Sequence, residues 1–148
     1  KMAQKPTIYL LDVTNRDVVQ TSRICLSKLQ KTMINWYLDQ MGIYQSEFGF
    51  PLTRHETNYL NANLDLVKLG GFPRIKLSGW LRATKDDVKT AFKLVPELKF
   101  LNLSISTSDQ MIVHKFKGKL DHQSIIKEMQ EATQEALKLG AESVGVNA

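Results

Sequence analysis

Four successive times, an apolar run of strand length breaks into polar residues and is followed by apolar residues at helical spacing. The first run, Ile8-Tyr9-Leu10-Leu11, gives way to Asp12-Val13-Thr14-Asn15-Arg16-Asp17-Val18-Val19-Gln20. Leu26, Leu29, Met33, Trp36, Tyr37 and Met41 then recur as on one helix, which Gly42 stops. A second strand over Ile43–Phe48 is broken by Gly49-Phe50-Pro51, which puts Glu47 near its carboxyl end. The helix expected from about Arg54 to Lys68 carries Leu60, Leu64 and Val67 on one face and ends at Gly70-Gly71. Arg74–Ser78 reads as the third strand; it runs into Gly79-Trp80-Leu81-Arg82-Ala83-Thr84, with Arg82 just past the strand. Lys85-Asp86-Asp87 opens a short helix bearing Val88, Ala91, Phe92 and Val95. The fourth strand, Phe100–Ile105, becomes Ser106-Thr107-Ser108-Asp109. A long helix from about His122 to Leu139 shows a stripe of Ile125, Ile126, Met129, Ala132, Ala136 and Leu137. Glu142–Ala148 reads as a fifth strand.

Strands alternating with helices predict a parallel α/β fold in one domain, and folds of this class build their sites at the carboxyl ends of the strands. A doubly wound sheet suits 148 residues, whereas a complete eight-stranded barrel needs roughly 250. The chain contains no Gly-x-Gly-x-x-Gly and no phosphate-loop sequence, which counts against dinucleotide binding and nucleoside triphosphatase activity. Arg16 and Asp17 at the first strand end read locally as a solvated ion pair in a surface turn, or as the start of a site. The net charge of +5 is spread without a dense basic block, so nucleic acid is a weak expectation. An anionic metabolite or a coenzyme carrying phosphates suits it equally. Cys25 is the only cysteine, which excludes an internal disulfide and fits a reducing, cytoplasmic setting with a structural thiol. No apolar run approaches the roughly 20 residues that cross a bilayer, and Lys1–Pro6 lacks the apolar segment of a secretory signal; a soluble protein is expected.

The ordered strand-end motifs resemble the family of homocitrate synthase, isopropylmalate synthase, citramalate synthase and hydroxymethylglutaryl-CoA lyase. Asp12 to Gln20 is similar to that family's Asp-Thr-Thr-Leu-Arg-Asp-Gly-Glu-Gln at Asp12, Thr14, Arg16, Asp17 and Gln20. Glu47-Phe48-Gly49-Phe50-Pro51 resembles its Glu-x-Gly-Phe-Pro, and Trp80-Leu81-Arg82-Ala83 with Asp86-Asp87-Val88 resembles its third-strand arginine segment. Ser104-Ile105-Ser106-Thr107-Ser108-Asp109, with His114-Lys115-Phe116 beyond, resembles the fourth strand end and the His-Lys-Leu that follows it. The resemblance spans nearly the whole chain, and among subfamilies it is nearest to the homocitrate synthases of nitrogen-fixing bacteria.

This resemblance implies the N-terminal half of a TIM (β/α)8 barrel, about five strands and four helices. It implies a Claisen condensation of acetyl-CoA with a 2-oxo acid, 2-oxoglutarate favoured, assisted by magnesium, manganese or zinc. Asp17 is then a metal ligand and Arg16 the catalytic group that stabilises the forming oxyanion. Arg82 and Thr107 hold substrate carboxylate, and Glu47 and Gln20 orient ligands or substrate around the metal.

The sequence departs from the family pattern in several places. Val18-Val19 stands in place of Gly-Glu, Asn15 in place of an apolar residue, and Met111 in place of a histidine. β-Branched residues disfavour positive φ, so the loop after the first strand is expected to take another path. The family's metal-binding His-x-His has no counterpart in His55, His114 and His122. A half barrel has an open edge, so completion by a second polypeptide, by dimerisation or within a longer parent is expected. Two other readings remain open at this point: a degenerate, non-catalytic relative serving as a binding or scaffold subunit, and a free-standing flavodoxin-like domain.

Overall fold

The computed structural model describes residues 6–148. Its elements run β1 (Leu11–Asp12), a 3-10 turn (Val18–Gln20), α1 (Lys28–Gln40), β2 (Gln45–Gly49), α2 (Arg54–Lys68), β3 (Lys76–Arg82), α3 (Lys85–Leu94), β4 (Phe100–Ser104), α4 (Asp109–His114), α5 (His122–Lys138) and β5 (Ser143–Asn147). The five strands lie in one parallel sheet in the order of the chain, β1-β2-β3-β4-β5. A doubly wound sheet reverses its strand order at a switch point. Here nothing reverses, so the flavodoxin-like reading falls and the architecture is half of a TIM barrel.

Alternation along each strand separates two faces. Phe48, Leu77, Leu81, Leu101 and Leu103 enter the core with Leu60 and Leu64 of α2, Val88 and Ala91 of α3, and Ala132 and Ala136 of α5. The opposite, inner face carries Glu47, Ser78, Trp80 and Asn102, aligned by the pairings Glu47 with Ser78, Trp80 with Asn102, and Asn102 with Gly145. Side-chain caps start the helices: Ser27 and Gln30 form a capping box on α1, Thr84 accepts from the Asp87 amide, and Asp121 from that of Ser124.

Four details differ from the sequence expectations. β1 is only two residues long, Leu11–Asp12, and pairs with β2. β3 begins later and runs further than Arg74–Ser78, so Arg82 is its last residue and not a loop residue beyond it. Asp109–His114 forms α4, a short helix whose six residues are too few to show a period. The apolar repeat of α1 locates the helix but not its buried face, since Leu29, Met33, Trp36, Tyr37 and Met41 are all exposed. The buried residues of α1 are Lys31, Asn35 and Asp39, spaced one helical turn apart.

Those three buried polar residues are satisfied. Asp39 Oδ1 accepts the Arg74 and Ile75 amides at 2.8 and 2.9 Å, fixing the approach to β3. Asn35 accepts from Asn15 Nδ2 and Ser46 Oγ and donates to Tyr59 Oη and Asn63 Oδ1. Lys31 Nζ reaches both Glu56 oxygens at 3.0 and 3.1 Å and lies over the Tyr59 ring. Burial pushes the Tyr59 phenol well above its ordinary value; the Asn35 amide opposes that shift and the charge of Glu56 adds to it.

Candidate active site

The loop after β1 is tied down from within. Asp12 accepts the Thr14 amide and hydroxyl at 2.9 and 3.0 Å, and Asn15, fully buried, donates to the Lys31 carbonyl and Asn35. Asn15, which sequence reasoning marked only as a departure, therefore anchors the loop to α1 and leaves its neighbour Arg16 facing the sheet. Val18 and Val19 enter a 3-10 turn following Asp17 at φ −93°. Among the described non-glycine residues only Arg23 and Lys117 have positive φ, so the two valines are unstrained where the family's Gly-Glu would stand.

Arg16 crosses from this loop to the inner face. Its Nε donates to Glu47 Oε2 at 3.0 Å, its Nη1 to Asp17 Oδ1 at 2.7 Å, and its guanidinium carbon stands 4.6 Å from the Trp80 ring centre. Trp80 is in turn braced by Phe50, with ring centres 5.7 Å apart. Buried Glu47 keeps both oxygens occupied: Oε1 accepts from Asn102 Nδ2 at 2.7 Å. A cation held by two carboxylates and an aromatic face keeps its orientation, and three of the five guanidinium N–H donors remain for a ligand after these two bonds.

The sequence expectations divide against this geometry. Arg16, Asp17 and Glu47 come together in one hydrogen-bonded cluster. Gln20 is exposed but lines, with Asn15, Arg16, Val19, Gly49, Phe50 and Glu56, a cavity of about 230 Å³ beside it. Arg82 is turned to α3, where Asp87 takes its Nε and Nη2 at 2.6 and 2.8 Å, and this carboxylate raises the guanidinium pKa further. Thr107 is half-buried between β4 and α4 and joins no hydrogen bond of the Arg16 cluster. Trp80 and Asn102 are the members of the cluster to which sequence reasoning gave no role. One signal was available: Asn102 is the lone polar residue inside Phe100-Leu101-Asn102-Leu103.

Among the described residues, no group of three His, Cys, Asp or Glu side chains converges on a point. Asp17, with its side chain 59% exposed and Oδ2 unbonded, fits as a single carboxylate ligand and not as a site. Among the described residues no helix is long and apolar enough to cross a membrane.

Over 141 residues the chain is 57% identical to citrate (Re)-synthase of Dehalococcoides mccartyi strain CBDB1, covering 95% of this chain and 34% of that protein. It is 33% identical to 2-isopropylmalate synthase 2 of Caldanaerobacter subterraneus subsp. tengcongensis, with the same coverage. To homocitrate synthase AksA of Methanocaldococcus jannaschii it is 29% identical over 139 residues, 93% of this chain and 29% of the relative. The chain thus spans about a third of the length of the curated relatives it matches. Residues 7–147 match the HMGL-like family model, and with half a parallel barrel carrying arginine and carboxylates at its strand ends, the chain belongs to the HMGL-like family.

Proposed function

We propose that this chain supplies the N-terminal half of the barrel of a condensing enzyme that joins the acetyl group of acetyl-CoA to the ketone carbon of a 2-oxo acid and releases CoA. The observation that carries the reading is the Arg16 guanidinium, held between Glu47, Asp17 and the Trp80 face with donors to spare. The acetyl methyl carbon gives up a proton and bonds to the ketone carbon, the ketone oxygen becomes an alkoxide that then takes up a proton, and water hydrolyses the thioester. A cation already oriented at the ketone oxygen stabilises the charge without reorganising, and a planar fork does so directionally. Glu47 and Trp80 orient that fork. Asp17 steadies it through one oxygen and offers the other as one ligand to a divalent cation, which polarises the ketone when bound. The remaining ligands come from the segment that completes the barrel, in a longer parent or a second polypeptide.

The oxo acid of first choice is oxaloacetate. Acetyl addition to its ketone, followed by thioester hydrolysis, gives citrate, and the relative at 57% identity is named for citrate while those named for homocitrate stand at 29–32%. 2-Oxoglutarate, which the motif resemblance favours, is the competing choice. The test is release of free CoA thiol by the completed barrel with oxaloacetate, 2-oxoglutarate, pyruvate and 2-oxoisovalerate in turn. Turnover selective for oxaloacetate and reduced at least about a hundredfold by Arg16→Ala is expected, the scale of a lost oxyanion partner. Turnover with none of the four acids by a folded, complete barrel would sink the reading in favour of a non-catalytic binding subunit.

A further inference from the structure

We propose that Asn102 is a positioning residue for Arg16, acting through Glu47, and that Gly145 on the next strand is what allows Asn102 to take that position. The inference rests on the Arg16 reading above. Glu47 bonds Arg16 through one oxygen and Asn102 through the other, at 3.0 and 2.7 Å. A carboxylate held at one oxygen alone can rotate and carry its partner with it; one held at both cannot. Asn102 is buried, and its amide also approaches Ser78 Oγ at 3.4 Å, so it spans from β4 across β3 to β2. The amide is suited to the task because it is a donor without charge. A lysine or arginine in its place would compete with Arg16 for Glu47, and an aspartate would set acceptor against acceptor.

Gly145 pairs with Asn102 across β4 and β5. A Cβ built there would lie 2.5 Å from Asn102 Oδ1, closer than any real contact. The obstructing atom belongs to a short side chain already held by Glu47, so relief means breaking that bond. The state of β5 is thereby coupled to Arg16 at the far side of the sheet, through Asn102 and Glu47.

The test uses the completed barrel with arginine labelled at Nε. In the unaltered protein the Arg16 Nε–H signal, assigned by its loss in Arg16→Lys, is expected to be shifted and slow to exchange because of Glu47. Asn102→Ala is expected to move that signal toward the free-arginine position and to lower kcat about ten- to a hundredfold with the KM for oxo acid nearly unchanged, the scale of a hydrogen bond to a charged group. Gly145→Ala is expected to reproduce both effects while Asn102 is present and to add nothing once Asn102 is alanine. An Arg16 signal unmoved in both folded single variants would overturn the proposal, whether or not the enzyme turns over. Turnover lost in Arg16→Ala but unchanged in Asn102→Ala would overturn it too and leave the functional reading standing. Additive effects of the two substitutions would remove Gly145 from it.

Discussion

At the level of single residues, the site is a set of competitions for a few charges. Arg82 shows this most simply. The resemblance assigns it to substrate carboxylate, yet in the structure both of its bonded nitrogens face Asp87, with the arginine side chain 65% exposed. For Arg82 to hold an oxo acid, Asp87 must give way or share. Asp87→Asn is therefore expected to free the fork and lower the KM for oxo acid several-fold, while stability falls by no more than about 1 kcal/mol, as for a solvent-screened pair. Steady-state kinetics and a thermal melt read both. A KM unchanged in Asp87→Asn and in Arg82→Ala would make Arg82 a tether between β3 and α3. The same scale explains what the sequence revealed. Arg16, Asp17 and Glu47 stand in local motifs, each readable from a few neighbouring letters. Trp80, Asn102 and Gly145 matter because three different strands bring them into register, and no short stretch of sequence records that register.

At the level of elements, α1 shows why periodicity finds a helix more reliably than its orientation. Two stripes of helical period run along it, one apolar and one of Lys31, Asn35 and Asp39, and hydropathy favours burying the first. Burial instead follows the polar stripe because its neighbours offer partners: Ser46 of β2, Tyr59, Asn63 and Glu56 of α2, and the Arg74 and Ile75 amides ahead of β3. A buried, hydrogen-bonded polar layer favours one arrangement of its elements, and losing one member leaves several buried groups unpaired. Asn35→Ala removes two acceptor and two donor bonds at once. It is expected to cost about 3 kcal/mol or more, measured by urea unfolding, and to loosen the Asn15 anchor on which the Arg16 loop depends. Trp36→Ser on the outward face is expected to leave the stability of the chain within about 0.5 kcal/mol. A larger loss at Trp36 than at Asn35 would restore the orientation that the apolar spacing suggests.

At the level of the whole molecule, the described residues form a sheet with two unpaired edges. Ile8, Tyr9, Leu10 and Leu11 are exposed along the β1 side, and Val146 is exposed on β5. In a parallel sheet such edges are ordinarily covered, and left open they pair with whatever edge they meet. A closed barrel removes both edges at once, joining β1 and β5 to the strands that flank them. This gives one substitution two opposite expected outcomes. In the isolated 148-residue chain, Val146→Lys places charge on a free edge and is expected to reduce self-association, seen as a fall in sedimentation coefficient toward that of the monomer. In the completed barrel the same lysine sits on an interior strand and is expected to destabilise the fold by about 2–4 kcal/mol, because a charge must be buried or the strand displaced. Loss of association in the first setting with no loss of stability in the second would mean that β5 remains an edge in the assembled protein, and the barrel would not close through it.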